Sequence, residues 1–310
     1  MYRPPDSERF DVRRDLPRNR ETSLREADDY RATLHLSGLA HVEDSSVSWT
    51  SELPSGYEPR HQIVLPYFGF FRYCVGSQGW LLDPNRTLFI SPGWEFEDEH
   101  PVRGVGHAAL LINPSRELLE EICGRRGPVK CLAFTGVSHP STMHLRLLTQ
   151  HMLRLDPTTY DQLHGDEWVV HALHEAMYGA RPQQARSSRI IDRAKEFLHA
   201  RACERLSLNE IATEVNVTPV YLTQEFTRSE GVPLYRYQLW LRLSRALLEL
   251  PHCDDITGLA LDLGFSSHSH FSSAFRKAFG MTPADYRQGI GSRALNLIRR
   301  ANEACQPRAA

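Results

Sequence analysis

Two histidines stand one residue apart within LALDLGFSSHSHFSSAFRKAFG, residues 259–280. In a β-strand His268 and His270 would point to the same face, and such a pair would suit a zinc site. The flanking residues indicate a helix instead, because apolar side chains recur there at i, i+3, i+4 and i+8. They are Phe271, Ala274, Phe275 and Phe279. On a helix, side chains two residues apart point about 200° apart, so this pair cannot hold one metal ion.

The rest of the chain shows no other set of residues typical of catalysis. Its six cysteines are dispersed and form no C-x-x-C pair, which argues against a zinc ribbon or a redox motif. They are Cys74, Cys123, Cys131, Cys203, Cys253 and Cys305. We find no metal-ligand quartet and no nucleophile–base pair, so we expect no metal, no cofactor and no enzymatic activity.

Length and composition favour a two-domain protein of the cytoplasm. The chain has 310 residues, enough for two hydrophobic cores. It contains no run of 18 apolar residues, so we expect no membrane-spanning segment. Its arginine-rich beginning lacks the apolar centre of a secretory signal, which favours the cytoplasm.

Charge is distributed unevenly along the chain. Residues 1–180 contain 18 Lys and Arg against 25 Asp and Glu, a net charge of −7, whereas residues 181–310 contain 18 against 13, a net charge of +5. A basic second part indicates an anionic partner, although a solvated surface would give the same count.

Short apolar runs separated by turns predict an antiparallel β domain over residues 29–140, after a mobile tail at residues 1–28. The predicted strands are residues 61–65, 70–75, 79–82, 87–91 and 107–112, with turns at Asp83-Pro84-Asn85 and Ser91-Pro92-Gly93. This spacing is typical of a sandwich or small barrel. The acidic residues from Glu95 to Glu99 are expected to form a solvated turn.

Helical periodicity follows over residues 141–180, with apolar side chains recurring from Met143 to Leu155 and from Trp168 to Met177. These helices are expected to cover the sheet or to pair with a second copy of the chain in a homodimer. A polar stretch at residues 181–188 is the predicted linker. Residues 189–290 are predicted to be a helical domain, followed by a tail at residues 291–310.

The helical domain contains an approximate internal repeat. Ile211-Ala212-x3-Asn216 matches Leu259-Ala260-x3-Gly264 at an offset of 48, and Leu222-x3-Phe226-x4-Gly231 matches Phe271-x3-Phe275-x4-Gly280 at an offset of 49. In each copy a small alanine precedes a turn by four residues, and the turn residue, Asn or Gly, tolerates a left-handed backbone. Ser207-Leu208-Asn209-Glu210 is a capping box, and Thr218-Pro219 supplies an N-cap and a first-turn proline. The predicted turn and core residues are Ala212, Asn216, Leu222, Phe226, Ala260, Gly264, Phe265, Phe271 and Phe275.

Each copy therefore predicts a helix-turn-helix unit. A connecting helix predicted from Pro233 to Leu250 would be about 27 Å long. That length is close to the ~34 Å between successive major-groove faces of B-DNA. One rigid helix would then hold two recognition helices on one side of a duplex. An all-helical interaction domain would need neither the matched turns nor this spacing.

Residues 187–288 resemble the DNA-binding domain of the AraC/XylS family of bacterial transcription regulators. The resemblance depends on LSLNEIATEVNVTPVYLTQEFTRSEGVPLYRYQLWLRLSRALL and ITGLALDLGFSSHSHFSSAFRKAFGMTPADYR. It implies two helix-turn-helix units bridged by a long helix, and binding to double-stranded DNA and RNA polymerase. Upstream, VLPYFGFFRYCVGSQGWLLDPNRTLFISPGWEFEDEHPVRG looks like the cupin-type sensor half of some members.

The resemblance thus implies an α+β chain: a cupin-like antiparallel β-barrel with flanking helices, then an all-α DNA-binding domain. A metal-binding cupin would show an H-x-H pair, whereas His61, His100 and His107 stand apart. We therefore expect a non-catalytic barrel that binds a small-molecule effector or only dimerises. Aromatic side chains would line the effector pocket or simply fill the core: Tyr67, Phe68, Phe70, Tyr73, Trp80 and Trp94.

The recognition helices depart from the family's pattern. Relatives often carry an arginine suited to guanine where this sequence has Gln224 and Ser273, so base preference cannot be copied from them. The helical phase predicts base contacts from Val220, Thr223, Gln224, Thr227, His268, Ser269, Ser272 and Ser273. Predicted phosphate contacts are Arg228, Arg236, Ser267, Arg276 and Lys277.

The sequence as a whole predicts a sequence-specific DNA-binding transcription regulator that recognises two successive major grooves and responds to an effector. Two alternatives stay open. One is a cupin-like metalloenzyme with a helical appendage. The other is an effector-independent regulator whose first domain only dimerises.

Overall fold

The computed structural model describes residues 30–47, 55–102, 105–124, 138–155, 161–179 and 188–288. The tails, most of the linker and several loops lie outside these residues. The described strands are β1 (Tyr30–Leu36), β2 (Ala40–Val47), β3 (Ser55–Glu58), β4 (Gln62–Gly69), β5 (Phe71–Val75), β6 (Gln78–Leu82), β7 (Arg86–Ile90), β8 (Trp94–Glu99), β9 (His107–Pro114) and β10 (Ser138–Pro140).

The strands form two antiparallel sheets that enclose a hydrophobic layer. The larger has the order β1-β2-β9-β4-β7-β10 and the smaller the order β3-β8-β5-β6. Strands β7 and β9 are buried at every position, because one face meets the smaller sheet and the other meets helices. All five strands predicted from the sequence are present. The acidic stretch is strand β8 and not a solvated turn: its residues alternate between the two faces, and Asp98 points inward and is buried.

The described helices are α1 (Arg116–Cys123), α2 (Met143–Leu153), α3 (Gln162–Tyr178), α4 (Arg189–Ala200), α5 (Leu208–Glu214), α6 (Pro219–Glu230), α7 (Leu234–Glu249), α8 (Ile256–Asp262), α9 (His268–Phe279) and α10 (Pro283–Arg287). Helices α1 to α3 cover the outer face of the larger sheet, where Leu148 and Trp168 join the apolar side chains of β2, β4 and β9. No helix in the described ranges is both long and apolar enough to cross a membrane.

Helices α4 to α10 enclose two further cores, and α7 contributes to both. Its first half places Leu234, Tyr237 and Leu241 in a core with α4, α5 and α6. Its second half places Leu243 and Leu247 in a core with α8, α9 and α10. A single helix thus fixes the two halves relative to each other, since its apolar side chains are shared between them.

Candidate DNA-binding surface

The first candidate recognition helix is α6. The hydroxyl oxygen of Thr218 accepts a hydrogen bond from the backbone N–H of Tyr221 at 3.3 Å, and Pro219 fills the first turn. Gly231 ends the helix with φ 72°, a left-handed conformation that glycine adopts without strain. Leu222 and Phe226 are fully buried. They anchor one face of α6 and leave the opposite face in solvent.

Four of the predicted base-contacting residues lie on this opposite face: Val220, Thr223, Gln224 and Thr227, all exposed. The hydroxyls of Thr223 and Thr227 donate to backbone carbonyls one turn earlier, at 2.9 and 2.8 Å. Their methyl groups and oxygen lone pairs are still available to a ligand. Tyr221, which sequence reasoning did not single out, is 45% exposed one turn before Gln224. Because residues three apart lie on the same face of a helix, the position of Tyr221 relative to Gln224 could have identified it as a further contact residue.

The second candidate recognition helix, α9, has the same construction. Ser267 accepts a hydrogen bond from the backbone N–H of His270 at 3.2 Å, and Gly280 ends the helix with φ 73°. Phe271 and Phe275 are fully buried. The predicted contact residues His268, Ser269 and Ser273 are exposed, and Ser272 is half-buried.

The two histidines of α9 make different contacts, as the helical phase predicted. His268 forms a hydrogen bond with Ser272 at 3.3 Å, whereas His270 lies 3.1 Å from the hydroxyl of Ser266 and packs edge-on against Phe265. Within the residues that the structure describes, no group of three or more His, Cys, Asp or Glu side chains is arranged to hold a metal ion.

The turns inside the two units have matching backbones. Asn216 has φ 58° and is the only described non-glycine residue with positive φ, and Gly264 has φ 81°. The preceding alanines, Ala212 and Ala260, are buried. Both units therefore form the same sharp turn between a short scaffold helix and a recognition helix.

Arg242, on α7, joins the two units by hydrogen bonds. Its guanidinium donates to the carbonyl of Gly264 at 3.0 Å in the second unit, and to the carbonyls of Glu204 and Ala202 at 2.7 and 3.2 Å near the first. Arg205 adds a bond to the carbonyl of Phe265 at 2.9 Å. The sequence prediction did not include this role for Arg242. Every residue has a backbone carbonyl, so the sequence alone does not show which carbonyls an arginine will contact.

The predicted phosphate-contacting residues lie on the surface of the two units. Arg236, Arg276, Lys277 and Ser267 are exposed. Arg228 is exposed as well and forms an ion pair with Glu225 one turn away. Exposed pairs of this kind contribute little to stability, so a phosphate group could displace Glu225 at little cost.

Comparison with known proteins identifies the family. A model described as a helix-turn-helix domain matches residues 211–289. The HTH-type transcriptional activator RhaS of Escherichia fergusonii is 34% identical over 277 residues, which cover 83% of this chain and 97% of that protein. The chain belongs to the AraC/XylS family of transcription regulators. The two helix-turn-helix units and the long α7 are thus the AraC-type domain that the sequence predicted.

Other regulators match over shorter stretches. The Msm operon regulatory protein of Streptococcus mutans is 31% identical over 32% of this chain and 36% of that protein. An uncharacterized HTH-type transcriptional regulator of Staphylococcus aureus is 28% identical over 51% of this chain and 23% of that protein. The chain spans only about a quarter to a third of these curated relatives.

Solved structures include an AraC-type transcriptional regulator from Chromobacterium violaceum, 35% identical over 32% of this chain and 89% of that chain, with a TM-score of 0.31. ToxT from Vibrio cholerae aligns at 11% identity over 81% of this chain and 98% of that chain, with a TM-score of 0.32.

The six residues predicted to form an effector pocket do not lie together. Tyr73, Trp80 and Trp94 pack between the two sheets. Tyr67 faces the helices on the outer side of the larger sheet, and its hydroxyl donates to Asp44 at 2.6 Å. Phe68 is half-buried. Phe70 belongs to a small separate core and stacks on His199 of α4 with ring centroids 4.3 Å apart. Successive strand residues point to opposite faces, so this run could not line one cavity.

Two polar groups lie among the aromatic side chains between the sheets. Asp98 and Tyr73 are directly opposite each other on β8 and β5. Neither the Tyr73 hydroxyl nor the Asp98 Oδ1 atom has a hydrogen-bond partner among the described residues. Burial raises the pKa of Asp98 to about 8, so this carboxyl group is mostly protonated at neutral pH. Burial and the nearby Asp98 also raise the pKa of Tyr73.

A buried carboxylate joins the β domain to the DNA-binding domain. Asp83, in the turn between β6 and β7, accepts a hydrogen bond from the hydroxyl of Tyr237 on α7. It also lies 3.3 Å from Nε2 of His199 and 3.7 Å from Nζ of Lys195, both on α4. Burial alone would raise the pKa of Asp83, but the charge of Lys195 and these hydrogen bonds hold it well below its usual range. Asp83 is therefore a carboxylate in the folded protein.

Further ion pairs connect Asp83 with Glu230 and Arg86 across the same interface. Lys195 lies 3.4 Å from Glu230 at the end of α6, and Glu230 lies 3.7 Å from Arg86 of β7. Arg86 donates to the hydroxyl and the carbonyl of Ser138 at 3.0 and 2.9 Å. The first helix-turn-helix unit is thereby held against the β domain by paired, buried charges.

Proposed function

We propose that this protein is a sequence-specific DNA-binding transcription regulator that inserts α6 and α9 into successive major grooves. The observation that supports this most directly is a pair of helices, each with a hydroxyl N-cap, a glycine C-cap and one exposed face. Both pack against α7, and Arg242 of α7 links the two units by hydrogen bonds. The 16 residues of α7 span about 24 Å. Each recognition helix lies beside one end of α7, so half a helix diameter at each end, ~10 Å in all, brings the distance between the two helix axes close to the ~34 Å of one DNA turn.

The polar groups of the two helices suit different parts of a DNA duplex. Gln224 has an amide that can form two hydrogen bonds with adenine, while the shorter serines of α9 reach base edges less far. We assign Thr223, Gln224, His268, Ser269 and Ser272 to base edges, with Val220, Thr227 and Ser273 beside them. Arg228, Arg236, Ser267, Arg276 and Lys277 are assigned to phosphates, where they supply affinity without sequence information.

Selection of bound fragments from genomic DNA tests this assignment. Two conserved sequence blocks, their centres separated by about 10–10.5 base pairs, should emerge from the recovered fragments. The same selection with the double variant Gln224→Ala and Ser273→Ala is the matched control. This variant should bind DNA weakly and should no longer select particular bases at the positions that Gln224 and Ser273 contact. Recovery of fragments without any shared sequence from the unmodified protein would contradict the proposal.

We further propose that the protein acts in the cytoplasm and contacts RNA polymerase when bound near a promoter. The 97% coverage of RhaS, a protein named as an activator, supports this role. Transcription from a template that carries the recovered sites, with purified polymerase, tests it. A change in transcript yield that depends on the sites is expected, and an unchanged yield would contradict it.

The β domain is proposed to bind a small-molecule effector between its two sheets. The aromatic residues Tyr73, Trp80 and Trp94, together with the unpartnered polar atoms of Tyr73 and Asp98, support this position. A ligand with an apolar body and a hydrogen-bonding group would match them. A thermal-shift screen of metabolites tests this, since a ligand that binds only the folded state raises Tm. A panel in which no compound raises Tm would contradict an effector site between the sheets.

Homodimerisation is proposed to use the outer face of α3. The apolar faces of α2 and α3 are largely occupied by the chain's own core, through Leu145, Leu148, Trp168 and Leu173. On the solvent side of α3, however, Leu163 and Val170 are exposed at 69% and 39%, seven residues apart. Val170→Glu should shift the mass measured by light scattering from dimer to monomer, whereas the substitution His171→Glu should not.

The opposing hypothesis is a metal-dependent enzyme. Elemental analysis of the purified protein beside a gel shift on the recovered sites separates the two. Stoichiometric metal without a shift would favour the enzyme.

A further inference from the structure

Two histidines meet between helices α2 and α3, which cover the outer face of the larger sheet. His151 lies in the last turn of α2 and His164 in the first turn of α3. Their Nε2 atoms are 3.5 Å apart. The ring centroids are 5.6 Å apart, much farther than the Nε2 atoms, so the two nitrogens point toward each other. Thirteen positions separate the two residues in the chain, and no local sequence pattern shows such a pair.

The separation of the two Nε2 atoms is long for a hydrogen bond between ring nitrogens. The same protein contains such a bond in His100 and His107, whose Nε2 and Nδ1 atoms are 2.8 Å apart. A zinc ion bound tetrahedrally by two imidazoles, with Zn–N distances of about 2.0–2.1 Å, holds their nitrogens about 3.3–3.4 Å apart. The distance between His151 and His164 is therefore closer to the separation at a metal ion than to that of a direct hydrogen bond.

The two helices are fixed to each other close to this pair. The ring N–H of Trp168, one turn after His164 on α3, donates to the carbonyl of Leu148 on α2 at 2.8 Å, and Trp168 is fully buried. At the start of α3 the carboxylate of Asp161 accepts a hydrogen bond from the backbone N–H of His164 at 2.8 Å. Binding of an ion would therefore order little beyond the two side chains, which lowers its entropic cost.

The surroundings of the pair permit a cation to bind. Burial, followed by the nearby His164 and Arg154, lowers the pKa of His151 to about 4, so this imidazole is neutral at pH 7 and can ligate a metal ion. The guanidinium of Arg154 lies 5.1 Å from the ring centroid of Tyr286 on α10, a cation–π contact that holds it toward the DNA-binding domain. Asp161 contributes a negative charge at the start of α3. Both histidines are half-buried and not fully enclosed.

We propose that His151 and His164 bind one Zn²⁺ ion through their Nε2 atoms. Two imidazoles suit Zn²⁺ and similar transition-metal ions, whereas Mg²⁺ and Ca²⁺ prefer oxygen ligands. No third His, Cys, Asp or Glu side chain completes the group among the described residues, so water fills the remaining positions. Since structural and catalytic zinc sites use three or four protein ligands, this site binds the ion exchangeably and links the end of α2 to the start of α3.

A direct hydrogen bond between the two rings is the simpler role of this pair. One ring would then donate and the other accept, and no ion would bind. Glutamine has both a donor and an acceptor, so it can retain a hydrogen bond at either position, but it is a much weaker ligand for Zn²⁺ than imidazole. Substitution by glutamine therefore separates the two roles.

Calorimetric titration of the full chain, purified without an affinity tag and stripped of metal with EDTA, tests the proposal. The titrant is zinc chloride in a non-chelating buffer at neutral pH, and magnesium chloride is the control. Saturable binding of one Zn²⁺ per chain and no binding of Mg²⁺ are expected. Because an ion that binds only the folded state stabilises it, saturating Zn²⁺ should also raise Tm.

Two variants locate the ion. His151→Gln and His164→Gln each remove one ligand, so each should weaken zinc binding at least tenfold and abolish the rise in Tm. His164→Gln alone decides the matter if His151→Gln does not fold. His171→Gln is the matched control, because His171 is exposed on the same helix as His164, and it should bind zinc like the unmodified protein.

Absence of saturable zinc binding, unchanged affinity in His164→Gln, or an equal loss in His171→Gln would each overturn the proposal. Failure of DNA binding would leave these results unaffected.

Discussion

The carboxylate of Asp83, between β6 and β7, accepts a hydrogen bond from the hydroxyl of Tyr237 on α7, across a sequence separation of 154 residues. Both side chains are buried. Tyr237 also packs edge-on against Phe226 of the first recognition helix, with ring centroids 5.1 Å apart. A movement of the β6–β7 turn therefore changes the surroundings of the helix that carries both DNA-binding units.

Tyr237→Phe should weaken the contact between the two domains. The substitution keeps the ring against Phe226 but leaves Asp83 with one hydrogen bond fewer in a buried site, at a cost of about 1–3 kcal/mol. The measurement is urea denaturation followed by tryptophan fluorescence. Tyr235→Phe is the matched control, because Tyr235 lies on the same helix and is 64% exposed. An equal loss in both variants would contradict a specific role for Tyr237.

The contribution of Asp83 to folding stability should decrease only as the pH becomes acidic. Its pKa is lowered in the folded protein, so its stabilising effect is complete above the unfolded value of about 3.9 and decreases as pH falls toward the folded value. Comparison of the unmodified protein with Asp83→Asn from pH 7 to pH 3 tests this. The stability difference should be constant above about pH 5 and shrink below pH 4. A difference that shrinks already between pH 7 and 5 would contradict the assignment to Asp83.

The two helix-turn-helix turns should respond differently to alanine. At Asn216 only the left-handed backbone is penalised, so Asn216→Ala should cost about 1–2 kcal/mol and Asn216→Gly almost nothing. At Gly264 a Cβ atom would also lie 2.4 Å from the carbonyl oxygen of Cys203. Gly264→Ala should therefore cost about 2–5 kcal/mol. Thermal denaturation of the three variants gives the order, and an equal loss at both turns would contradict the contact with Cys203.

The helical domain was predictable because its signals are local. A cap, a left-handed turn residue and an apolar stripe lie within a few positions of one another, and the repetition at 48–49 residues shows each signal twice. The phase of the Phe271 and Phe275 stripe decided which face of α9 is exposed. The same helix geometry explains why His268 and His270 make different contacts, since it separates their side chains by about 200°.

The β domain and its contacts with α4 and α7 were less predictable. Strand β8 alternates apolar and acidic residues as a half-buried strand should, but its charge suggested a solvated turn. Strand β2 was not predicted from the sequence, because it contains the charged residue Asp44, which is buried in the structure and accepts a hydrogen bond from the hydroxyl of Tyr67. Asp83 and Lys195 are 112 positions apart in the chain. Their pairing follows from tertiary packing, which no local pattern records.

Asp98→Asn should stabilise the protein at neutral and alkaline pH. The folded-state pKa of Asp98 is raised to about 8, above the unfolded value of about 3.9, so only the unfolded state ionises between these values. Stability should therefore fall as pH rises from 4 to 8, by up to about 1.4 kcal/mol per pH unit from this group, and the asparagine variant should lack this slope. Urea denaturation at pH 5, 6, 7 and 8 measures it. Glu97→Gln, on the exposed face of the same strand, is the control and should change little. Parallel pH profiles for Asp98→Asn and the unmodified protein would contradict the assignment.

Gln224→Ala and Lys277→Ala should weaken DNA binding in different ways. Gln224 is assigned to a base edge, so its loss should relax preference at one base pair at a cost of about 1–3 kcal/mol and leave the salt dependence unchanged. Lys277 is assigned to a phosphate, so its loss should weaken binding to all sequences alike and reduce the slope of log K against log salt by about 1. Gel shifts with the selected site, with single-base variants of it and at several salt concentrations separate the two effects. A uniform loss for Gln224→Ala, or a base-specific loss for Lys277→Ala, would reverse the assignment of these two side chains.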